Sequence, residues 1–353
     1  MKSKKVTIRQ VAERAGVTIG TVSHVLNDTA TISAETTARV KDAIRELNYV
    51  PNVTARSLRS KRNKMLGILV PNLNNNFYSR ILSTFTDLAF AEGYVVQIFG
   101  YEYSVEKELQ ILHTLASASL DLVIIMNGCG DEEGINRLRA AGKQVILADR
   151  DSGTEGVCSV CFDNRQGVWK AIELFQRKGY QRVGYLSEPL DLSNVQERYQ
   201  AYGEAMEKAY GGIREEDIFF CEDFRLDALN NGYRYMKQVL ESREKEQLPD
   251  AFLATSDLLA IGAMRACREC GYEIPADFGF VSFDNLDICS FVSPAMTSIE
   301  QNQVAMGTAL FELVKELHKD GGQSRSTQEQ STWEQSAMRR IVLPQKLIER
   351  ESC

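Results

Sequence analysis

The chain has 353 residues, 44% of them hydrophobic, which suffices for two or three separately packed cores, and no run approaches the roughly 18 apolar residues of a membrane span. Its basic start has no apolar signal segment, so we expect a cytoplasmic protein. The net charge of −7 is unevenly spread: residues 1–64 hold 13 lysines and arginines against 5 acidic residues, or +8, and the remainder carries −15. A basic head on an acidic body predicts that one end of the chain contacts nucleic acid.

The first predicted elements are two short helices joined by a glycine turn. Thr7–Gln10 has the form of a capping box, and apolar residues recur at the helical period over Ile8–Ala15 until Gly16 ends the helix. Thr18 is a candidate N-cap for a second helix, whose inward apolar positions lie within Val22–Leu26. This arrangement predicts a helix-turn-helix.

A third helix is expected from the N-cap candidate Ser33 to about Leu47, so that three helices share one small core. In such a unit the second helix enters the major groove of DNA. The candidate DNA-contacting residues are Thr7, Thr18, Ile19, Gly20, Thr21, Ser23, His24 and Asn27. The same spacing also suits a three-helix bundle that binds no DNA, so the pattern alone leaves both interpretations open.

This region closely resembles the headpiece of the lac repressor (LacI/GalR) family in four stretches: Thr7-Ile-Arg-Gln-Val-Ala, Ala15-Gly-Val-Thr, Thr21-Val-Ser-His-Val-Leu-Asn27 and Tyr49-Val-Pro-Asn-Val-Thr-Ala-Arg-Ser-Leu-Arg59. The resemblance implies that the segment after the bundle is a hinge that becomes helical on operator DNA. It further implies that Asn52 caps this helix, that Ala55 permits close approach to the minor groove, and that Leu58 is an apolar wedge between base pairs.

His24 departs from the family pattern, which most often has arginine on the recognition helix here. Arginine reads guanine through two parallel hydrogen bonds, whereas a neutral imidazole has one donor and one acceptor. We therefore expect an operator that differs at the contacted base from the commonest half-site of the family.

Beyond a basic linker, apolar strand-like runs alternate with amphipathic helical stretches. The runs are Leu66–Pro71, Val95–Gly100, Leu122–Met126, Val145–Ala148, Val183–Ser187, Ile218–Cys221, Ala251–Thr255 and Phe280–Phe283, with the last strands at Arg340–Leu343. Such alternation predicts an α/β fold of parallel sheets with helices on both faces. Ligands of these sheets bind beyond the carboxyl ends of the strands. Polar and aromatic candidates there are Asn72, Phe77, Tyr78, Asp149, Arg150, Asp163, Ser256, Asp257, Asp284 and Asn285.

The resemblance to the LacI/GalR family continues in this region, for example in Val281–Asn285 and Thr297–Gln301. It implies an all-α helix-turn-helix headpiece followed by a core similar to periplasmic sugar-binding proteins, with two doubly wound parallel-sheet subdomains and an effector in the cleft. The expected domains are a headpiece over 1–50, a hinge helix and linker over 51–64, and an effector-binding and dimerisation domain over 65–353. Within it we expect an N-subdomain at about 65–161 and 291–320 and a C-subdomain at about 162–290 and 321–353.

The resemblance implies that Phe77 and Tyr78 form one wall of the effector site and Arg198 and Phe224 the other, with Asp284 and Gln301 near the crossovers. Together with the strand-end positions, the candidates for effector binding are Asn72, Phe77, Tyr78, Arg150, Asn194, Arg198, Phe224, Ser256, Asp284 and Gln301. The set suits a polyol, because carboxylates accept and arginine donates hydrogen bonds to hydroxyls, while an aromatic face stacks on the C–H side of a sugar ring. The purine-responsive branch of the family has arginine where this chain has Leu192, which favours a sugar or sugar derivative over a purine.

The sequence is less consistent with two other classes of protein. An enzyme is disfavoured, because the glycines at Gly128, Gly130 and Gly134 are spaced too widely for a dinucleotide fingerprint and the chain has only three histidines. The CxxC pairs at Cys158 and Cys267 fall in a strand-like and a helix-like run rather than on turns, so we expect reduced thiols, no metal and no cofactor. A periplasmic solute-binding protein would share the large domain but would need a signal sequence and no headpiece.

The sequence therefore predicts a transcriptional repressor that binds a palindromic operator as a homodimer, under allosteric control by a small molecule. A tetramer stays open. Whether the effector releases or promotes DNA binding also stays open.

Overall fold

The chain divides into two units, Met1–Asn63 and Lys64–Cys353, in a computed structural model. The structure describes residues 6–27, 30–49, 64–128, 132–150, 156–221, 227–320 and 339–353. The hinge candidates Asn52, Ala55 and Leu58 and the effector candidate Phe224 lie outside the described residues, as does the side chain of Asn27.

The first unit contains the three predicted helices, α1 (Ile8–Ala15), α2 (Ile19–Asn27) and α3 (Ala34–Glu46). Thr7, Thr18 and Ser33 each accept a backbone N–H from the first turn of the helix that follows, at 3.4, 3.1 and 3.3 Å. Gly16 ends α1 with a φ of 66°, which glycine adopts without steric cost. The small core that the helices share consists of Val11, Ala12, Ala15, Val22, Val40 and Ala43.

The second unit contains two six-stranded sheets. The first sheet has the order β2-β1-β3-β4-β5-β11, and all its strands are parallel. Its strands are β1 (Met65–Val70), β2 (Val95–Gly100), β3 (Leu122–Met126), β4 (Gln144–Ala148), β5 (Cys158–Phe162) and β11 (Arg340–Leu343). Its helices are α4 (Asn76–Ala91), α5 (Val105–Ser117), α6 (Glu132–Ala140) and α11 (Gln303–Asp320). Leu66 and Ile68 of β1 pack with α4 and α11, whereas Leu69 packs with α5 and α6, because successive strand residues face opposite sides.

The second sheet has the order β7-β6-β8-β9-β10-β12, in which only β12 is antiparallel to its neighbour. Its strands are β6 (Val183–Ser187), β7 (Ile218–Phe220), β8 (Ala251–Ala254), β9 (Gly279–Asp284), β10 (Thr297–Glu300) and β12 (Lys346–Ile348). Helices α7 (Asn164–Lys178) and α8 (Ser193–Tyr210) cover one face, and α9 (Ala228–Ser242) and α10 (Asp257–Glu269) cover the other. Short 3₁₀ turns occupy Glu215–Asp217, Lys245–Gln247 and Asp287–Ser290. The doubly wound α/β core expected from the sequence is confirmed.

The chain passes between the sheets after residue 162, at 301–302 and at 344–345. Two of the expected subdomain boundaries therefore differ from the structure. Thr297–Glu300 pairs with β9, so the second passage follows residue 300 rather than 290. Arg340–Leu343 pairs with β5 and so belongs to the first subdomain, although 321–353 was expected in the second. The subdomain to which each segment belongs is decided by the strand with which it pairs. These partners are far apart in sequence, so the local sequence does not indicate the pairing.

The CxxC cysteines lie on regular elements, Cys158 and Cys161 on β5 and Cys267 on α10, with Cys270 just past the end of that helix. Within the described ranges, no group of three or more His, Cys, Asp or Glu residues is arranged to hold a metal ion. None of the helices in the same ranges is both long and apolar enough to cross a bilayer.

Two glycines allow α9 and α10 to pack closely. A methyl group added at Gly262 of α10 would lie 2.2 Å from the carbonyl oxygen of Leu229, and one at Gly232 of α9 would lie 2.5 Å from that of Leu259. These neighbours are backbone atoms, so the helices themselves would have to separate.

We expect Gly262→Ala to lower the free energy of unfolding by about 1–3 kcal/mol or more, because overpacking at a helix contact is relieved only by moving backbone. Gly203→Ala in α8 is the matched control. Its new methyl group would meet only the terminal Cδ1 of Ile213, at 3.3 Å, and alanine gains up to about 1 kcal/mol over glycine inside a helix. Denaturant unfolding of both variants measures the difference, and equal midpoints would contradict the proposed close packing.

Candidate ligand cleft and nucleic-acid interface

Helix α2 and its cap form one surface of the first unit. Its exposed residues are Thr18, Ile19, Gly20 and His24, while Thr21 and Ser23 are half-buried. Val22 is fully buried in the small core, so the helix has an inward and an outward face. Thr7 is exposed at the start of α1. The outward face thus carries hydroxyl and imidazole groups, which can bond to base edges or phosphates.

In the second unit, two residues with left-handed backbone follow neighbouring strands. Asn127 (φ 51°) follows β3 and Asp149 (φ 57°) follows β4, and the register of these strands places the two side by side. Asn127 Nδ2 donates a hydrogen bond of 3.1 Å to Oη of Tyr78, which lies in the first turn of α4. Burial is the main cause that raises the pKa of Tyr78 well above its ordinary value, so the phenol stays protonated. The ring of Phe77 stands edge-on to that of Tyr78, with centroids 5.2 Å apart.

Arg198 of α8 organises the corresponding edge of the second sheet. Its Nε donates to Oδ1 of Asn164 (2.9 Å), its Nη1 to the carbonyl oxygen of Thr255 (2.9 Å) and its Nη2 to Oε1 of Gln301 (2.8 Å). The guanidinium also lies 4.5 Å from the ring centroid of Phe283. Arg198 is 3% exposed, yet all three acceptors are uncharged. This network joins α7, α8, β8 and the passage after β10.

Asp284 ends β9 with a φ of 108°, a value that side-chain-bearing residues rarely adopt. Its carbonyl oxygen accepts a hydrogen bond of 2.8 Å from Gln303, but within the described ranges nothing donates to its carboxylate. Burial raises the pKa of Asp284 well above its ordinary value, the charge of Asp257 adds to this effect, and Arg198 opposes it. Asp257 has a different role, because its carboxylate accepts three hydrogen bonds within the second subdomain.

Contacts between side chains cross from one subdomain to the other. Asn194 Nδ2 donates a hydrogen bond of 2.9 Å to Oδ2 of Asp149. On another side, Arg80 Nη1 lies 3.1 Å from both carboxylate oxygens of Asp287. Because Asp149 follows a strand of the first sheet and Asn194 begins a helix after a strand of the second, the carboxyl ends of the two sheets face each other across a cleft.

Asp149 is another buried acid of the cleft whose pKa is strongly raised. It is 3% exposed, and burial, opposed by the charge of Arg198, raises its pKa from 3.8 to about 7. Its Oδ2 accepts from Asn194, while Oδ1 has no hydrogen-bond partner in the described part of the chain.

Three expected effector residues make hydrogen bonds to backbone groups close to them in their own subdomain. Asn72 Oδ1 accepts from the backbone N–H of Asn74 (2.8 Å), Ser256 Oγ caps α10, and Arg150 Nη1 donates to the carbonyl oxygen of Gly128 (3.1 Å). The structure brings Tyr78, Asn194, Arg198, Asp284 and Gln301 to the facing sheet ends, with Phe77 against Tyr78. The role of each in binding stays a prediction.

Sequence reasoning missed Asn127, Asn164 and Thr255. Asn127 directly follows a predicted strand, so its position at a strand end is a signal that could have identified it. The predicted strand includes Thr255 as its last residue, whereas the strand in the structure ends at Ala254 and leaves Thr255 at the strand end. Asn164 begins α7 and had no signal of its own, because only the contact with Arg198 gives it a place in the site.

Several buried polar atoms around the cleft have no hydrogen-bond partner among the described residues: Asn127 Oδ1, Asp149 Oδ1, Arg150 Nε, Thr255 Oγ1 and Gln301 Nε2. Buried polar groups are nearly always bonded in native proteins, so such a group of orphans indicates water or a ligand with hydroxyl or amine groups.

Comparison with known proteins gives consistent matches over the whole chain. Residues 7–52 match the profile of the bacterial regulatory proteins of the lacI family, and residues 172–353 match that of the periplasmic binding protein-like domain. The HTH-type transcriptional regulator RegA of Clostridium saccharobutylicum is 30% identical over 98% of both chains. The HTH-type transcriptional repressor PurR of Mannheimia succiniciproducens is 28% identical over 89% of this chain and 93% of its own. The crystal structure of the lac repressor dimer bound to operator and the anti-inducer ONPF is 26% identical, covers 99% of both chains and has a TM-score of 0.82.

The raised pKa of Asp149 predicts a pH-dependent effect of Asp149→Asn on stability. An acid whose pKa is raised by folding stabilises the native state fully below its ordinary pKa and loses this contribution as the pH rises through the folded value of about 7. The asparagine variant has no such loss. Between about pH 5.5 and pH 8 its free energy of unfolding should therefore rise relative to that of the parent by about 2 kcal/mol. This total follows because each pH unit below the midpoint contributes ~1.4 kcal/mol.

Thermal or urea unfolding at the two pH values measures this difference. Asp87→Asn on the exposed side of α4 is the control, for which we expect no change in the difference between the two pH values. A constant offset for Asp149→Asn across the range would mean that the carboxylate is already ionised at pH 5.5.

Proposed function

The chain belongs to the lacI family of bacterial regulatory proteins, and we propose that it represses transcription as a homodimer that binds a palindromic operator under the control of a sugar-like effector. As a member of this family it is a DNA-binding transcriptional regulator with a periplasmic-binding-protein-like domain, and its relatives are regulators rather than enzymes. The observation that carries the proposal is the presence, in one chain, of a helix-turn-helix with an outward polar face and of a group of buried polar atoms that have no partner among the described residues.

We propose that the protein acts in the cytoplasm. In the proposed complex, the outward residues of α2 contact base edges in the major groove, and Thr7 and Asn27 contact the DNA backbone. The basic head supports this role, because lysine and arginine side chains supply the affinity for phosphate that does not depend on sequence. The hinge residues act as the family resemblance implies: Asn52 caps the hinge helix, Ala55 lets it approach the minor groove, and Leu58 is the wedge.

A two-fold operator requires two headpieces, hence a homodimer. The first subdomain offers an apolar surface for a second copy. Strand β2 is at the edge of its sheet, where Val95 and Ile98 are 53% and 40% exposed, and Phe90 at the end of α4 is 83% exposed. An apolar edge strand of this kind is normally covered in a soluble protein. The similar lac repressor structure is that of a dimer.

The proposed effector is a sugar or sugar derivative. Asp149 and Asp284 offer acceptors, and Arg198 and Gln301 offer donors, as recognition of a polyol requires. Phe77 and Tyr78, whose buried rings stand edge-on to each other, are the proposed aromatic residues of the site. A purine is the second candidate, because a relative at 28% identity is named PurR. The buried Leu192, at the position where the purine-responsive branch has arginine, favours the sugar.

Control of DNA binding is proposed to arise from rotation of one subdomain against the other. The contacts of Asp149 with Asn194 and of Arg80 with Asp287 join the subdomains, so an effector that alters the closure must alter these contacts. A coupling free energy of about 1–3 kcal/mol between cleft and operator is typical of such regulators.

Selection of operator sequences from a random duplex library tests the DNA-binding proposal. The full-length protein should recover a two-fold symmetric site, and His24→Arg should shift one base of each half-site towards guanine, because arginine can make the two-pronged contact. The discrimination at that position is expected to be about 1–3 kcal/mol per half-site. His113→Arg, the same change on the exposed side of α5, is the control and should leave the selected site unchanged.

An unchanged consensus for His24→Arg would contradict the assignment of His24 to base reading. If the parent protein preferred no duplex over random competitor DNA, the DNA-binding proposal would be contradicted and the solute-binding interpretation would be favoured.

A thermal-shift screen against sugars, amino sugars and nucleobases tests the effector class. A sugar at about 100 times its Kd should stabilise the protein by roughly 2.7 kcal/mol. Arg198→Lys should reduce that shift, because lysine keeps the charge but lacks the planar fork that reaches three acceptors. Arg165→Lys, on an exposed part of α7, is the control. Stabilisation by nucleobases alone would contradict the sugar effector and indicate a purine effector.

A further inference from the structure

Two buried glutamines lie opposite each other where the chain passes between the subdomains. Strands β10 and β12 are antiparallel, and the pair at this end of their ladder is Glu300 and Lys346. One step further along the same register, Gln301 of the second passage stands opposite Gln345 of the third. Both glutamines are 0% exposed. Side chains that oppose each other in an antiparallel pair point to the same face of the sheet, so we expect the two side-chain amides to be neighbours.

Helices α7 and α8 cover the face to which these side chains point. Ile299 and Leu347, which precede and follow the glutamines on that face, pack in the hydrophobic cluster of the two helices. A methyl group added at Gly167 of α7 would overlap with Oε1 of Gln345 and would lie 2.9 Å from Cγ2 of Ile299. The glycine therefore leaves the room that the amide of Gln345 occupies.

The backbone of Gln345 is fixed to the second subdomain, whereas its side chain is not. Its N–H donates to Oε1 of Gln166 (3.0 Å), and its carbonyl oxygen accepts from Nζ of Lys170 (2.5 Å). Neither Oε1 nor Nε2 of Gln345 has a hydrogen-bond partner among the described residues. Gln301 is half satisfied, because Oε1 accepts from Arg198 while Nε2 has no partner in the same ranges. A buried donor and a buried acceptor are thus left over on opposed residues.

Other acceptors without a described partner are placed less well for Gln301. Asn127 and Asp149 follow strands of the first sheet, and Thr255 follows β8, which β9 separates from β10. Asp284 ends the adjacent strand β9, but its partner in the register is Glu300 rather than Gln301. Gln345 is therefore the acceptor that the strand register places opposite Gln301.

The two amides are chemically complementary. The Nε2 of a glutamine has two donor hydrogens, so one N–H of Gln301 can bind Oε1 of Gln345 while the other binds a hydroxyl of a ligand. A buried amide without a partner lowers stability, so a rearrangement that pairs the two amides is favourable. Rotation of one subdomain against the other changes the backbone of the passages, and with it the distance between the amides.

We propose that Gln345 is a positioning residue of the effector site, whose side-chain amide binds that of Gln301 when the effector is bound. The bond fixes Gln301, and through it Arg198, in the orientation that contacts the ligand. The proposal rests on the proposed effector in this cleft and concerns how its binding is coupled to the passages. Gln345 itself acts through Gln301.

Titration calorimetry of the full-length protein tests the proposal with D-glucose, D-galactose, D-ribose, cellobiose and adenine as probes. The probe that binds the parent most tightly should bind Gln345→Met about tenfold more weakly, because methionine has a similar length but no donor and only a weak acceptor. In a Gln301→Met background, which already lacks the partner, Gln345→Met should change the affinity by less than about twofold. Gln110→Met, on the exposed side of α5, is the control and should bind like the parent.

Unfolding of the ligand-free proteins in urea distinguishes positioning from a structural role. The amide of Gln345 makes no hydrogen bond with a described residue, so Gln345→Met should keep the unfolding midpoint of the parent or raise it. Gly167→Ala is a second variant, because its methyl group displaces the amide of Gln345 without altering a side chain of the cleft. It should weaken binding of the same probe, and it decides the question if Gln345→Met does not fold.

Binding of the probe to Gln345→Met within about twofold of the parent would overturn the proposal and leave the effector site standing. Equal weakening by Gln345→Met in the parent and in the Gln301→Met background would also overturn it, because the two amides would then act independently. If none of the probes binds the parent, the proposed effector classes and this inference fall together, while selection of an operator still tests DNA binding separately.

Discussion

Carboxylates that lie between two facing sheets lose their hydration, and this loss constrains the arrangement of the regulatory domain. A buried charge without partners costs several kcal/mol, so it either takes up a proton or acquires donors. Asp257 has acquired three donors, but Asp149 has one and Asp284 has none in the described part of the structure. Oxygen atoms of Asp149 and Asp284 therefore remain available as acceptors for the donors of a ligand.

The guanidinium of Arg198 holds the other side of the cleft in place. Its three acceptors come from α7, from the loop after β8 and from the passage after β10, so one side chain joins segments that are more than 100 residues apart. Gln301 lies in a passage between the subdomains, so its hydrogen bond to Arg198 connects the cleft to that passage. In the proposed mechanism, a ligand that binds Arg198 or Gln301 therefore acts on a segment that joins the subdomains.

The start of the second unit is fixed by contacts of its first residue. Lys64 is the first described residue after the gap at 50–63, and its Nζ donates a hydrogen bond of 2.6 Å to the carbonyl oxygen of Glu92 and lies 5.2 Å from the ring centroid of Tyr94. That ring stacks on His318 of α11, with centroids 5.3 Å apart. The start of β1 is thus fastened to both helices that pack on its face.

The sequence by itself determined the elements whose signals are local. The caps at Thr7, Thr18 and Ser33, the stop at Gly16 and the buried strand runs are readable because each depends on neighbours within a few residues. For the same reason the motifs of the headpiece identified the family. The strand ends at which ligand-binding residues are predicted could also be located, because a parallel sheet places the carboxyl ends of its strands at one edge.

Tertiary structure alone decided which residues meet. Asn194 bonds to Asp149 from the opposite subdomain, Asn164 gains its place only through Arg198, and β10 and β11 join sheets other than those expected. The pKa of Asp149 is likewise a property of the assembled cleft, because burial sets it and a sequence does not record burial at a loop. Contacts between distant segments depend on how two lobes face each other, and no periodicity or spacing along the chain encodes that geometry.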